Sequence, residues 1–171
     1  MEAQSGFTSV TSLNPVSIST NTGEKPQAKV WTYAGQHWSV LANSSGTFLW
    51  RLDGTTWTNI LMLSSKNTSK ADTKVVGNVV HILLFQGITS ELVSVEYSLA
   101  LGTYQLWQQR TSTVTINLLS NVEIANIDID GNGRMWMAYD GNTDIYVTWS
   151  DSPYQSWSPP ITIATGISTD D

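Results

Sequence analysis

The sequence predicts an all-β fold built from about three four-stranded antiparallel units, and three observations carry that expectation. Runs of five to seven residues rich in Val, Ile, Thr, Trp and Tyr alternate with Gly, Asn, Asp and Ser, which supply the positive φ and capped turns of hairpins. No segment sustains apolar residues at i, i+3, i+4 and i+7 over a helix length. Trp57, Trp107 and Trp157 recur at intervals of 50 residues, and their flanks agree.

The elements follow in order. In the first unit "AKVWTY" precedes a turn at Gly35, "GQHWSVLA" a polar turn, and "FLWRL" a turn leading to Trp57 and "TNILML". The second unit repeats this with "DTKVV", a turn at Gly77, "VVHILLF", a strand ending at Tyr97, then Trp107 and "STVTINLL". The third has "IANIDI", a turn at Gly131, "RMWMAY", a strand ending at Trp149, then Trp157 and "PPITIA". Repeats of this length, each with four strands, are the pattern of β-propeller blades. A two-sheet sandwich also uses many short strands, but it gives no reason for equal marks at a fixed period.

The expected organisation is an N-terminal extension with an outer or edge strand over residues 1–27, a first blade over 28–69, a second over 70–121, and a third with the start of a next unit over 122–171. Within the extension, "TSVTSLNPVSIS" (residues 8–19) resembles an outer strand, and Pro15 suits an edge. Three blades do not close a propeller. The ring is therefore expected to be incomplete, or completed by oligomerisation of identical chains through open blade edges.

Composition narrows the partners. The chain of 171 residues carries a net charge of −6, and its arginines and lysines form no basic run, so neither nucleic acid nor an anionic membrane surface is an expected partner. Cysteine is absent, which excludes a disulfide framework, thiol catalysis and cysteine-ligated zinc. No apolar run approaches the length of a membrane span, so no membrane insertion is expected. "MEAQSGFTSV" lacks a secretory signal pattern, while the low charged fraction of 13% and the many hydroxyl and amide side chains fit an extracellular or cell-surface setting, with any signal removed before this numbering begins.

"SDSPYQSW" (residues 150–157) resembles the Asp-box, S-x-D-x-G-x-x-W, of sialidase-like β-propellers. It departs from that pattern in the early position of Asp151 and in Tyr154 at the glycine position, and "LDGTTW" is a shorter relative. The resemblance implies a structural hairpin in which an Asp or Ser accepts turn amides and the Trp packs between sheets. A sialidase-like active site needs three arginines converging on a carboxylate. Here Arg51, Arg110 and Arg134 occupy non-equivalent places and read as surface residues, so no catalytic residue is assigned.

"DIDGNGR" (residues 128–134) resembles the start of a calcium loop, but Tyr139 stands where the bidentate Glu belongs and strands flank it. It reads as a tight hairpin, and no metal is expected. His37 and His81 lie in no catalytic or metal-binding spacing and read as packing residues. No phosphate-binding loop occurs, and no cofactor is expected.

Eight tryptophans and six tyrosines are a heavy aromatic load, and aromatic faces stack on sugar rings. Most occupy repeat-equivalent places: Trp50, Trp57, Trp107, Trp149 and Trp157 are expected in the core. A ligand site is expected instead in the loops between second and third strands, with Asn43, Glu91, Asn142 and Asp144. The expected function is a non-catalytic propeller module that binds carbohydrate or serves a structural role. The alternatives are a fragment of a propeller glycoside hydrolase and a self-assembling structural subunit.

Overall fold

The computed structural model describes residues 11–21 and 27–167, and every regular element among them is a β-strand. The strands form three antiparallel sheets. The first contains β1 (Val30–Tyr33), β2 (Gln36–Asn43), β3 (Gly46–Asp53) and β4 (Thr56–Ser64), in that order. The second contains β5 (Lys70–Val76), β6 (Val79–Phe85), β7 (Thr89–Ser98) and β8 (Thr103–Leu106), with β9 (Val114–Asn117) also paired to β7. The third contains β10 (Ala125–Ile129), β11 (Met135–Gly141), β12 (Asp144–Ser150) and β13 (Ile161–Ala164). Tight turns make sequence neighbours pair. Ala34 and Gly35, with φ of 51° and 74°, close β1 onto β2 in the doubly left-handed turn that matches strand twist.

The middle sheet contributes both of its faces to the core. In β6, Val80, Ile82 and Leu84 join Trp31, Trp38, Val40 and Leu49 of the first sheet, while Leu83 and Phe85 join Ile127, Met135, Met137 and Tyr139 of the third. A strand covered on both sides has no polar alternation, which is why "VVHILLF" reads as one apolar run. β11 alternates buried Met135, Met137 and Tyr139 with Trp136, Ala138 and Asp140, because only one of its faces is covered. In the first core Tyr104 meets Trp38 edge-on at 4.8 Å and accepts the indole N–H of Trp31 at 3.0 Å. Burial pushes the Tyr104 phenol up to about 12.

One carboxylate ties the leading strands together. Asp72 of β5 is only 4% exposed, and it accepts Ala28 N–H, just ahead of β1, and Ile127 N–H of β10, each at 2.8 Å. Burial pushes its carboxyl up, and these amides pull it back down. Segments leading three different sheets thus converge on one side chain.

The structure corrects several expectations. The outer strand of the second unit is split: β8 pairs with Val95–Ser98, β9 pairs with Thr89–Leu92, and residues 107–113 leave the sheet between them. Arg110 sits in that excursion and is 3% exposed, not on the surface. Its guanidinium donates to Leu92 O (3.0 Å), Ser112 O (2.7 Å), Pro153 O (2.9 Å) and Ser94 Oγ (2.5 Å), which ties the excursion to β7 and to the β12–β13 loop. Residues 11–21 form no strand; they are anchored through Asn14 N–H to Thr55 O and Ser19 N–H to Ala42 O, and residues 8–10 of the expected strand lie outside the described residues.

Trp50 and Trp107 are buried, but Trp57, Trp149 and Trp157 are only half-buried. Strand alternation puts Trp57 and Trp149 on the faces of the first and third sheets that no other described sheet covers, and Trp157 lies at the rim of the second core. Among the described residues the three sheets form an open stack with no closed ring, and no helix is long and apolar enough to cross a membrane.

Candidate functional site

The four residues singled out by sequence all lie at turns between second and third strands, or next to them. Asn43 ends β2, and its Oδ1 accepts Ser45 N–H at 2.8 Å. Glu91 lies within β7 and pairs with Lys66 at 3.1 Å through Oε1, while its Oε2 is buried without a hydrogen-bond partner. Asn142, at φ 56°, accepts Asn121 Nδ2–H at 2.5 Å. Asp144 opens β12 and accepts Tyr146 O–H at 3.1 Å. Asn142 and Asp144 share one turn, whereas Asn43 and Glu91 belong to the other two sheets.

The β12–β13 loop, residues 151–160, is built differently from the other hairpins. Trp149 and Ser158 close its neck: Trp149 N–H donates to Ser158 Oγ (3.1 Å) and Ser158 N–H donates to Trp149 O (2.8 Å). Tyr154 plugs into the second core, donating its O–H to Gly133 O at 2.8 Å and stacking on Trp107 at 6.2 Å. Arg134 grips Asp151 through Nε (2.8 Å) and Nη2 (3.0 Å) and lies 3.7 Å above the Trp149 ring. That guanidinium holds the Asp151 carboxyl below its ordinary range.

Asp151 is engaged by Arg134 rather than by turn amides, and the carboxylate that does cap a turn is Asp130, in the neighbouring β10–β11 hairpin. Its Oδ1 accepts Asn132 and Arg134 N–H (2.8 and 3.1 Å), and its Oδ2 accepts the Trp136 indole N–H (3.0 Å). Within "DIDGNGR" Asp130 spends both carboxylate oxygens on the hairpin, while Asp128 pairs with Lys74 of β5. Among the described residues no group of three His, Cys, Asp or Glu is placed to hold a metal.

Two concavities meet at Trp157. A loop cleft of about 480 Å³ is lined by Trp149, Ser152, Gln155, Ser156 and Trp157. A crevice of about 250 Å³ between the second and third sheets is lined by Thr115 and Asn117 of β9, Tyr139 of β11, Thr148 of β12, Gln155 and Trp157. The indole N–H of Trp157 is buried and has no hydrogen-bond partner. A third concavity, of about 630 Å³, lies along the leading strands, where Lys74 is ion-paired with Asp128.

Sequence reasoning missed a buried polar cluster beneath the loop. His81, 3% exposed, meets Ser94 Oγ through Nδ1 at 2.8 Å and packs edge-on against Trp107 (5.2 Å) and Tyr154 (4.8 Å). Ser94 Oγ accepts from Arg110 and shares a hydrogen bond with His81 Nδ1, in which the imidazole tautomer sets the donor. Burial first, and the Arg110 charge second, push His81 down to about 4. Burial alone pulls Arg110 down to about 10. Ser94 is 1% exposed and engaged by a guanidinium, an arrangement that holds packing in place rather than activating a nucleophile. A lone arginine and a lone histidine far apart in sequence gave no signal of this pairing.

Comparison with protein-family models, with curated proteins and with solved structures returns no match.

Proposed function

We propose that the three sheets are consecutive blades of a β-propeller in a secreted or cell-surface protein, and that this module binds carbohydrate without catalysing a reaction. The propeller reading is supported by three successive antiparallel meanders stacked face to face, with their leading strands joined at Asp72. The binding reading rests on one observation, the loop cleft walled by Trp149 and Trp157. Indole faces offer a flat apolar surface to the C–H face of a sugar, and the Ser and Gln side chains around them offer hydrogen bonds. Asp151, the carboxylate among the described residues of this lining, is held ionised by Arg134. Glycoside hydrolysis instead needs a protonated carboxyl facing a second one roughly 5–10 Å away.

The test is to present the full chain to a glycan array and, separately, to chromogenic glycosides. Binding to at least one glycan class, lost in a folded Trp149→Ala variant and without turnover, supports the reading. An array with no bound glycan, or hydrolysis by this chain alone, overturns it.

The uncovered face of the third sheet favours a second reading. Trp136, Val147 and Trp149 are half-buried there, and Ile161 and Ile163 of β13 are 47% and 59% exposed. In that reading identical chains associate to complete a ring, and sedimentation showing a discrete dimer rather than a monomer selects it.

A further inference from the structure

We infer that two copies of this chain close a ring of six sheets, the outer face of each third sheet packing on the outer face of the other copy's first sheet. This rests on the self-association reading above and adds to it which faces meet and why the pairing runs head to tail.

The third sheet repeats a packing face already in use inside the chain. In the first sheet Val40 stands opposite Leu49 and Leu49 opposite Leu61, with Trp38 two residues before Val40; this side packs on the second sheet. In the third sheet Ala138 stands opposite Val147 and Val147 opposite Ile161, with Trp136 two residues before Ala138. That side points away from the second sheet, because Met135, Met137 and Tyr139 on the other side fill the second core. Trp38, Val40 and Leu49 are fully buried, whereas Trp136 and Val147 are half-buried and Ala138 and Ile161 exposed. The third sheet therefore carries a sheet-packing side on which no described sheet sits.

The complementary side is also present. Trp38, Val40 and Leu49 pack against Val80, Ile82 and Leu84 of β6. β2 and β6 each follow a two-residue turn, and counting from it Leu41 stands where Leu84 stands. Leu41, with Phe48 opposite it and Met62 opposite Phe48, lies on the outer side of the first sheet. Strands β1 to β4 direct no Asp, Glu, Lys or Arg to that side, so covering it desolvates no charge. Residues 11–21, anchored to this sheet at Thr55 and Ala42, add half-exposed Leu13 and Ile18 to the same end of the stack. On the third sheet Asp128 is paired with Lys74, and Asp140 accepts the Glu123 and Ile124 amides.

Inside the chain the following side of one sheet packs on the preceding side of the next at both interfaces, and never on its own kind. A second copy that sets its first sheet on the third repeats that contact. A head-to-tail contact closes into a ring or runs on as a filament. Two chains of three sheets give six, within the four to eight of closed propellers.

The experiment is sedimentation of the full chain from about 1 to 100 μM, for the parent and for two variants that place a charge at an exposed position, Ile161→Glu on the third sheet and Met62→Glu on the first. Urea midpoints near the parent's establish folding; Ile163→Glu and Ile18→Glu, also at exposed side chains, replace a variant that fails this control. The parent is expected as a dimer that grows no further with concentration. Each variant alone should dissociate at least about tenfold more readily, and mixing the two should recover a 1:1 heterodimer, because that pair keeps one intact contact. If third sheets pair with each other instead, Met62→Glu stays dimeric alone and mixing recovers nothing. That result, or an assembly that keeps growing with concentration, overturns the inference and leaves self-association standing. A parent chain monomeric at about 100 μM removes both and leaves the third-sheet face to another kind of partner.

Discussion

Acidification should weaken this fold through one histidine. His81 has an ordinary value of 6.5 and is pushed down to about 4 in the folded chain, by burial and by Arg110. The unfolded chain therefore binds the His81 proton at a higher pH than the folded chain does. Stability from this group is complete above about pH 6.5, declines as pH falls from there toward 4, and stops declining below 4, where the native state is protonated too. The gap of about 2.5 pH units at 1.36 kcal/mol each gives a loss of roughly 3 kcal/mol, with a slope near 1.4 kcal/mol per pH unit in mid-range. Carboxylates titrate over the lower part of this window, so the quantity to measure is the difference between the parent chain and His81→Gln in urea unfolding from pH 7.5 to 4.5. Glutamine keeps a hydrogen-bonding group for Ser94 but does not titrate. The variant should be less stable at pH 7, because the ring contacts with Trp107 and Tyr154 are lost, and the two curves should converge as the pH falls. Parallel curves across the whole range would show that His81 is not the neutral, buried group described here.

Three further outcomes follow from particular contacts. Asp72→Ala leaves the Ala28 amide and the buried Ile127 amide without their acceptor and should cost roughly 2–4 kcal/mol in urea unfolding, more than an exposed Asp→Ala change does. Gly46→Ala should cost roughly 2–4 kcal/mol, because at φ +145° its Cβ would stand 2.5 Å from Ser64 O; Gly35→Ala, at φ +74° with open space around it, should cost only about 1 kcal/mol. Arg134→Ala frees Asp151, so the Asp151 carboxyl, followed by NMR, should titrate higher than in the parent chain while the thermal midpoint barely moves.

Strand existence was the most legible part of the chain. The turn glycines Gly35 and Gly77 fall at positive φ between strands, and the three meanders run in the order read from the repeat. What escaped were features decided by which face a neighbour covers. Trp50 and Trp149 mark equivalent strand ends, yet one is 8% exposed and the other half-buried with a guanidinium over its ring, because strand pattern does not say what lies above a sheet. Arg110 was read as a surface charge since arginine is seldom buried. Its burial depends on four acceptors at Leu92, Ser94, Ser112 and Pro153, contributed by three separate stretches of chain. The Trp157 concavities were hidden for a similar reason: the repeat marks Trp157 as a packing residue, and only the split of β8 from β9 and the long β12–β13 loop leave clefts on its two sides.

The Asp72 junction bears on how the chain assembles. Nearly every strand pairs with its immediate predecessor, a local topology in which each sheet can form as soon as its own residues are present. Asp72 breaks that locality, since its two carboxylate oxygens reach 44 residues back and 55 residues forward. A stack held only by neighbouring faces tends to melt piecemeal from its ends, as linear repeat arrays do. A chain in which the first and third sheets both lean on one buried carboxylate of the second has reason to lose all three in a single transition.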